Sequence, residues 1–104
     1  MNSPQNDALK ETLTPAEIDN RLEALSEGWT SPEHRHLFKE FKFSNFKKAL
    51  AFTNQLGDLA ETRKHHPDIF LAWGKVTVTI WTHDAGGITH RDFDLAHAID
   101  KLAL

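Results

Sequence analysis

Cysteine is absent from the 104 residues. That excludes disulfides, thiolate metal ligands and a cysteine nucleophile, and it fits a cytoplasmic address. Long hydrophobic runs are missing as well. No window approaches the roughly 20 apolar residues that span a bilayer, and the apolar share is 39%. Positive charge is not in excess. A net charge of −3 and a pI near 6.1 give nothing to draw the chain onto nucleic acid. Internal repeats and low-complexity tracts are lacking too. The opening "MNSPQNDALKET" lacks the charged-then-apolar order of a secretion signal and reads as a flexible segment over residues 1–12. Residues 13–104 suffice for one domain with one core. So small a core favours homo-oligomerisation.

Local patterns order that domain. Thr14, Pro15 and Glu17 make a capping box with proline at the first helical position, and Leu13 and Ile18 stand at staple spacing. Ile18, Leu22 and Leu25 then mark one buried face, and Gly28 is a stop signal. Leu37, Phe41 and Phe43 share one strand face, with "SPEH" upstream as a turn. The pattern predicts a hairpin with a short first arm near Trp29. Ser44 is positioned to cap a second helix, whose apolar stripe runs from Phe46 to Ala60 and which ends before Pro67. Asp68 to His83 reads as a second hairpin turning near Gly74. On it Val76, Val78 and Ile80 face the core, while Thr77, Thr79, Trp81 and His83 face away. Thr89 and Asp92 open a last helix. The expectation is an α+β fold in the order α-β-β-α-β-β-α: a four-stranded antiparallel sheet with three helices on one face.

Histidine is plentiful, with seven residues. An imidazole titrates near pH ~6.5 and handles protons at neutral pH. His34, His36, His90 and His97 read as solvated or helix-surface residues. "HRH" at 34–36 has a spacing that zinc uses, but no third ligand is implied nearby. His65 and His66 stand where a helix gives way to a strand, stiffened by Pro67, a usual place for functional groups. His83 precedes a glycine-rich loop. Two readings of this trio stay open on spacing alone: solvated imidazoles, or proton-handling groups around one ligand.

The run "ETRKHHPDIFLAWGKVTVTIWTHDAGGITHRD" resembles the signature of the pterin-4a-carbinolamine dehydratases. Glu61, His65, His66, Pro67, Trp73, His83 and Asp92 fall at that family's spacings, and "LSEGW" and "FKFSNFKKALAF" extend the likeness over Leu13 to Leu104. Two positions depart from it: Lys64 stands where some members carry an acid, and Trp73 where many carry tyrosine. The resemblance implies dehydration of 4a-hydroxytetrahydropterin to quinonoid dihydropterin in a homodimer or homotetramer, with no metal or organic cofactor. It implies that His65, His66 and His83 are catalytic, one of the first two being the acid. Glu61 would orient His65, and Arg91 and Asp92 would close the site. Trp73 would stack near the ligand, and Thr82 and Asp84 would contact the pterin. The rival reading from another class is a protein-interaction module, because some animal members bind a homeodomain transcription factor through a helical surface. A histidine metal site is a third.

Overall fold

The computed structural model describes residues 11–102. The flexible segment expected over residues 1–12 lies outside the described residues except for Glu11 and Thr12. Helix α1 spans Pro15–Leu22. The Thr14 backbone N–H donates to Glu17 Oε1 at 2.8 Å, and Glu17 N–H donates back to Thr14 Oγ1 at 3.2 Å. Two helical donors that would otherwise go unsatisfied are thus paired by the residues the sequence placed there. Ile18 is buried; Leu25 is buried too, but beyond the end of the helix.

Strand β1 is Leu37–Lys42, helix α2 is Phe46–Arg63, strands β2 and β3 are Asp68–Ala72 and Lys75–Ile80, and helix α3 is His90–Asp100. The sheet order is β1-β3-β2, with both pairings antiparallel. β2 and β3 form the predicted hairpin, with Ala72 paired to Lys75 across Trp73 and Gly74. The cap of α2 is Asn45, whose side chain accepts from Lys48 N–H at 2.9 Å, in place of Ser44.

The expected fourth strand is not among the described residues. The segment after Trp29 contributes a single bridge, Thr30 to Phe38. Pro32 then starts a 3-10 turn, and Glu33 and His34 both take positive φ, 54° and 56°. Such angles in non-glycine residues cost about 1–3 kcal/mol each, and they turn the chain out of the ladder before a strand can grow.

One core sets the layering. Leu37, Phe41, Val76, Val78 and Ile80 come from one sheet face and join Ile18 of α1, Phe52 and Leu56 of α2, and Phe93, Leu95 and Ile99 of α3. Three helices therefore cover that face. Phe41 meets Phe52 at 4.7 Å between ring centroids and Trp29 edge-on at 6.3 Å. Burying each such side chain stabilises the fold by about 1.5–3 kcal/mol. Lys39 lies on the same face, and its ammonium sits 4.8 Å from the Phe41 ring centroid. Gly28 makes room for it: at φ 102° a Cβ there would stand 3.2 Å from Lys39 Cε.

Candidate active site

Helix α2 ends on Lys64, which adopts the left-handed conformation (φ 54°, ψ 38°). Its N–H bonds back to Ala60 and Glu61 carbonyls, and His65 N–H bonds to Ala60 O at 3.2 Å. This cap satisfies the last carbonyls of the helix and swings the chain sharply. The swing sends the two adjacent imidazoles to different partners.

His65 turns towards α3. Its Nε2 lies 2.6 Å from Asp92 Oδ1, with Asp92 fully buried and the His65 side chain 11% exposed. Asp92 Oδ2 accepts from Thr82 Oγ1 at 2.9 Å and from Thr89 N–H at 2.8 Å. The Thr82 and Thr89 hydroxyls are 2.8 Å apart. A buried polar group is costly without hydrogen-bond partners, and here each oxygen has one. The two sequence readings of Asp92 merge, since one oxygen caps α3 while the other holds an imidazole. His66 is the more exposed of the two. Its Nε2 pairs with Glu61 Oε2, and both side chains are largely exposed. The expectation that Glu61 orients His65 is therefore corrected. Four-residue spacing brings side chains together only inside a helix, and this one stops at Arg63.

These groups surround a pocket of about 220 Å³. The end of α2 supplies Lys64, His65 and His66. The exit of β3 supplies Trp81, Thr82, His83 and Asp84, and the first turn of α3 supplies Arg91. Ile80 ends the strand, Thr82 is bridged to Gly87, and His83 begins a 3-10 turn closed by Gly86 at φ 72°. The His83 ring lies 4.3 Å from that of Trp81, tilted by 45°. Arg91 Nη2 donates to Lys64 O at 3.4 Å, tying α3 to the cap of α2.

Of the residues singled out in the sequence, His65, His66, His83, Thr82, Asp84 and Arg91 line this pocket. Asp92 and Glu61 stand behind two of them. Pro67 follows the pair and is half-buried. Trp73 is not brought in: it sits on the β2–β3 turn, 68% exposed. Trp81 is the aromatic wall that the sequence reading overlooked. The signal was present, since Trp81 and His83 share a strand face at spacing two. His34 pairs instead with Asp19 at 2.8 Å. Among the described residues no three His, Cys, Asp or Glu side chains converge as metal ligands, and no helix is long and apolar enough to cross a membrane.

Known proteins match this chain in sequence and in fold. The sequence model of the family described as Pterin 4 alpha carbinolamine dehydratase matches residues 11–102. A protein of Alkaliphilus metalliredigens, provisionally named a pterin-4-alpha-carbinolamine dehydratase, is 46% identical over 89 residues, covering 86% of this chain and 80% of its own length. One from Thermosynechococcus vestitus, with the same provisional name, is 45% identical over 96 residues, covering 92% and 99%. The crystal structure of a transcriptional coactivator/pterin dehydratase from Brucella melitensis superposes with a TM-score of 0.80 at 35% identity, covering 86% of this chain and 96% of that one. A pterin dehydratase-like protein described as a RuBisCO assembly factor in the alpha-carboxysome gives a TM-score of 0.60 at 25% identity, covering 71% and 87%. With its sequence matched from end to end of the described residues, this chain belongs to the pterin 4 alpha carbinolamine dehydratase family.

Proposed function

We propose that the chain dehydrates a 4a-hydroxytetrahydropterin to the quinonoid dihydropterin. The observation that carries this reading is the convergence of His65, His66 and His83 on one pocket beside an aromatic wall. In the reaction the C4a–O bond breaks and oxygen leaves as water after taking one proton. N5 gives up its proton, and its electron pair forms the N5=C4a bond. No electron is exchanged with another molecule. The enzyme must deliver one proton and remove another near neutral pH, a task suited to imidazoles.

The two carboxylate partners suggest the division of labour. Asp92 Oδ2 already accepts from Thr82 and Thr89, which leaves Oδ1 as an acceptor for a proton on Nε2 of His65 and Nδ1 as the open proton site of that ring. A neutral ring so oriented accepts a proton, and the buried carboxylate stabilises the resulting imidazolium. His65 is then the base. His66, exposed and paired with Glu61, recharges from solvent and acts as the acid on the leaving hydroxyl. His83 and Trp81 hold the bicyclic ring. Asp84 and Arg91 offer it an acceptor and a donor.

Stopped-flow loss of the ultraviolet signal of a synthetic 4a-hydroxytetrahydropterin tests this reading. Micromolar protein should accelerate the loss, and replacing His66 or His83 by Ala should remove most of the acceleration. No acceleration by the unaltered chain would sink the proposal. On this reading the protein needs neither metal nor organic cofactor and works in the cytoplasm as a homo-oligomer, dimer or tetramer. Phe46, Leu50, Phe70 and Trp73, all exposed, support a self-association that analytical ultracentrifugation would size. A second reading, a protein-binding module, draws on the names of the two solved neighbours and on Phe46 and Leu50 of α2. A captured partner without pterin turnover would favour it.

A further inference from the structure

Trp81 has two histidine neighbours. His83, in the three-histidine pocket, lies 4.3 Å from it between ring centroids. His36 lies 6.4 Å from it. Arg35, His36, Trp81 and Gly86 line a second recess of about 380 Å³ there. The two spaces share Trp81 as a common wall. The pocket that holds the histidines is small for a small-molecule site, where roughly 300–1,000 Å³ is usual. It suits a bicyclic ring better than a ring with a long substituent.

The segment that supplies Arg35 and His36 is held at a cost. Glu33 and His34 both keep positive φ without being glycine. Two side-chain bonds clamp them: His34 to Asp19 at 2.8 Å, and Ser31 Oγ donating to His36 O at 2.8 Å. Strain retained by such clamps is characteristic of segments that position a functional group. That segment brings Arg35 to the recess. Arg35 is exposed, and among the described residues no carboxylate oxygen lies within 4 Å of it.

We propose that the recess formed by Arg35, His36 and Gly86 beside Trp81 is a subsite for the substituent on carbon 6 of the pterin, selective for substituents that end in an anion. The shared chemistry is a phosphate monoester or a carboxylate, which a guanidinium binds through paired, charge-assisted hydrogen bonds. His36 adds a further donor at the same wall. This inference rests on the dehydratase reading for the placement of the ring and adds the class of tail that the ring carries.

Two measurements separate the subsite from the reaction. The first is binding of unreactive 7,8-dihydropterins to the full chain, followed by tryptophan fluorescence. Three ligands are compared: one with a neutral hydroxyalkyl group at carbon 6, its phosphate monoester, and a carboxylate analogue. The anionic ligands should bind about tenfold more tightly than the neutral one, the scale of one charge-assisted hydrogen bond. In Arg35→Gln that ratio should fall towards one, and in Arg35→Lys it should recover in part. The preference should also shrink as salt is raised. Equal binding of charged and neutral tails, or a ratio unchanged in Arg35→Gln, would overturn the subsite. Whichever anion gains more identifies the tail. The second measurement is turnover of the matching 4a-hydroxy compounds. Turnover without tail selectivity leaves the dehydratase standing and removes the subsite. Selective binding without turnover of any compound does the reverse.

Discussion

Helix α3 carries a hydrogen-bonded carboxylate at each end, and the two ends serve different purposes. At the first turn, Asp92 divides its oxygens between the helix cap and the ring of His65. At the last residue, Asp100 Oδ1 accepts from Trp29 Nε1 at 2.9 Å and from Ser26 Oγ at 2.7 Å, and Oδ2 accepts from Ser26 N–H at 3.0 Å. Lys39 Nζ lies 3.8 Å away. Burial alone would raise the carboxyl pKa of Asp100. The bonds from Trp29 and Ser26, with the Lys39 charge, outweigh it and hold the group below its usual range. Both clusters are well satisfied, so hydrogen bonding by itself does not mark a site. What separates them is where the last partner points. Every partner of Asp100 closes back on the fold, clipping the α1–β1 connection to α3. The chain of bonds through Asp92 ends on an imidazole that opens into a pocket.

Asp92→Asn should break the comparison most severely. The amide keeps an oxygen for Thr82 and Thr89 but presents NH2 to His65, pushing the imidazole proton to Nδ1. With the wrong tautomer, kcat should fall by at least about 10²-fold, the low end of general acid–base contributions. Steady-state dehydration rates check this, with circular dichroism to confirm folding. Asp100→Asn should behave oppositely. Losing the charge and one acceptor should cost about 1–2 kcal/mol of stability and lower Tm by roughly 5–10 °C, with kcat within about twofold of the unaltered chain.

The pH dependence sharpens the contrast. The folded-state pKa of Asp100 is depressed. Its stabilising contribution is therefore complete above its unfolded value, near pH ~4, and is lost as pH falls through the folded value. Urea titrations should show a constant gap between the unaltered chain and Asp100→Asn from about pH 5 to 7, closing below about pH 4. The smallest effect belongs to Glu61→Gln. Its bond to His66 is exposed, and exposed pairs contribute little. A loss of less than about fivefold in kcat/KM is expected, measured under the same conditions.

Local chemistry made much of the fold legible in the sequence. Thr14 with Glu17 and Thr89 with Asp92 cap the helices as their spacing implies, because a cap is decided within four residues. The alternation of Val76, Val78 and Ile80 gave the core face of β3 for a similar reason. What the sequence does not show depends on backbone turns that carry no glycine or on distant partners. Left-handed Lys64 redirects His65 away from Glu61, and no residue type announced it. Consecutive positive φ at Glu33 and His34 stopped the fourth strand at Thr30. Asp92 meets His65 across 27 positions, a pairing that the fold makes and spacing does not. Trp81 lines the pocket and Trp73 does not, because the β2–β3 turn projects Trp73 into solvent.

The two ends of α3 can be set against each other in a single assay. Dehydration of a synthetic 4a-hydroxytetrahydropterin would be followed with the unaltered chain, Asp92→Asn and Asp100→Asn at equal folded concentration. The expected result is rapid turnover by the unaltered chain and Asp100→Asn, and turnover slower by about 10²-fold or more in Asp92→Asn. Equal rates in the two variants, or no turnover by the unaltered chain, would contradict it.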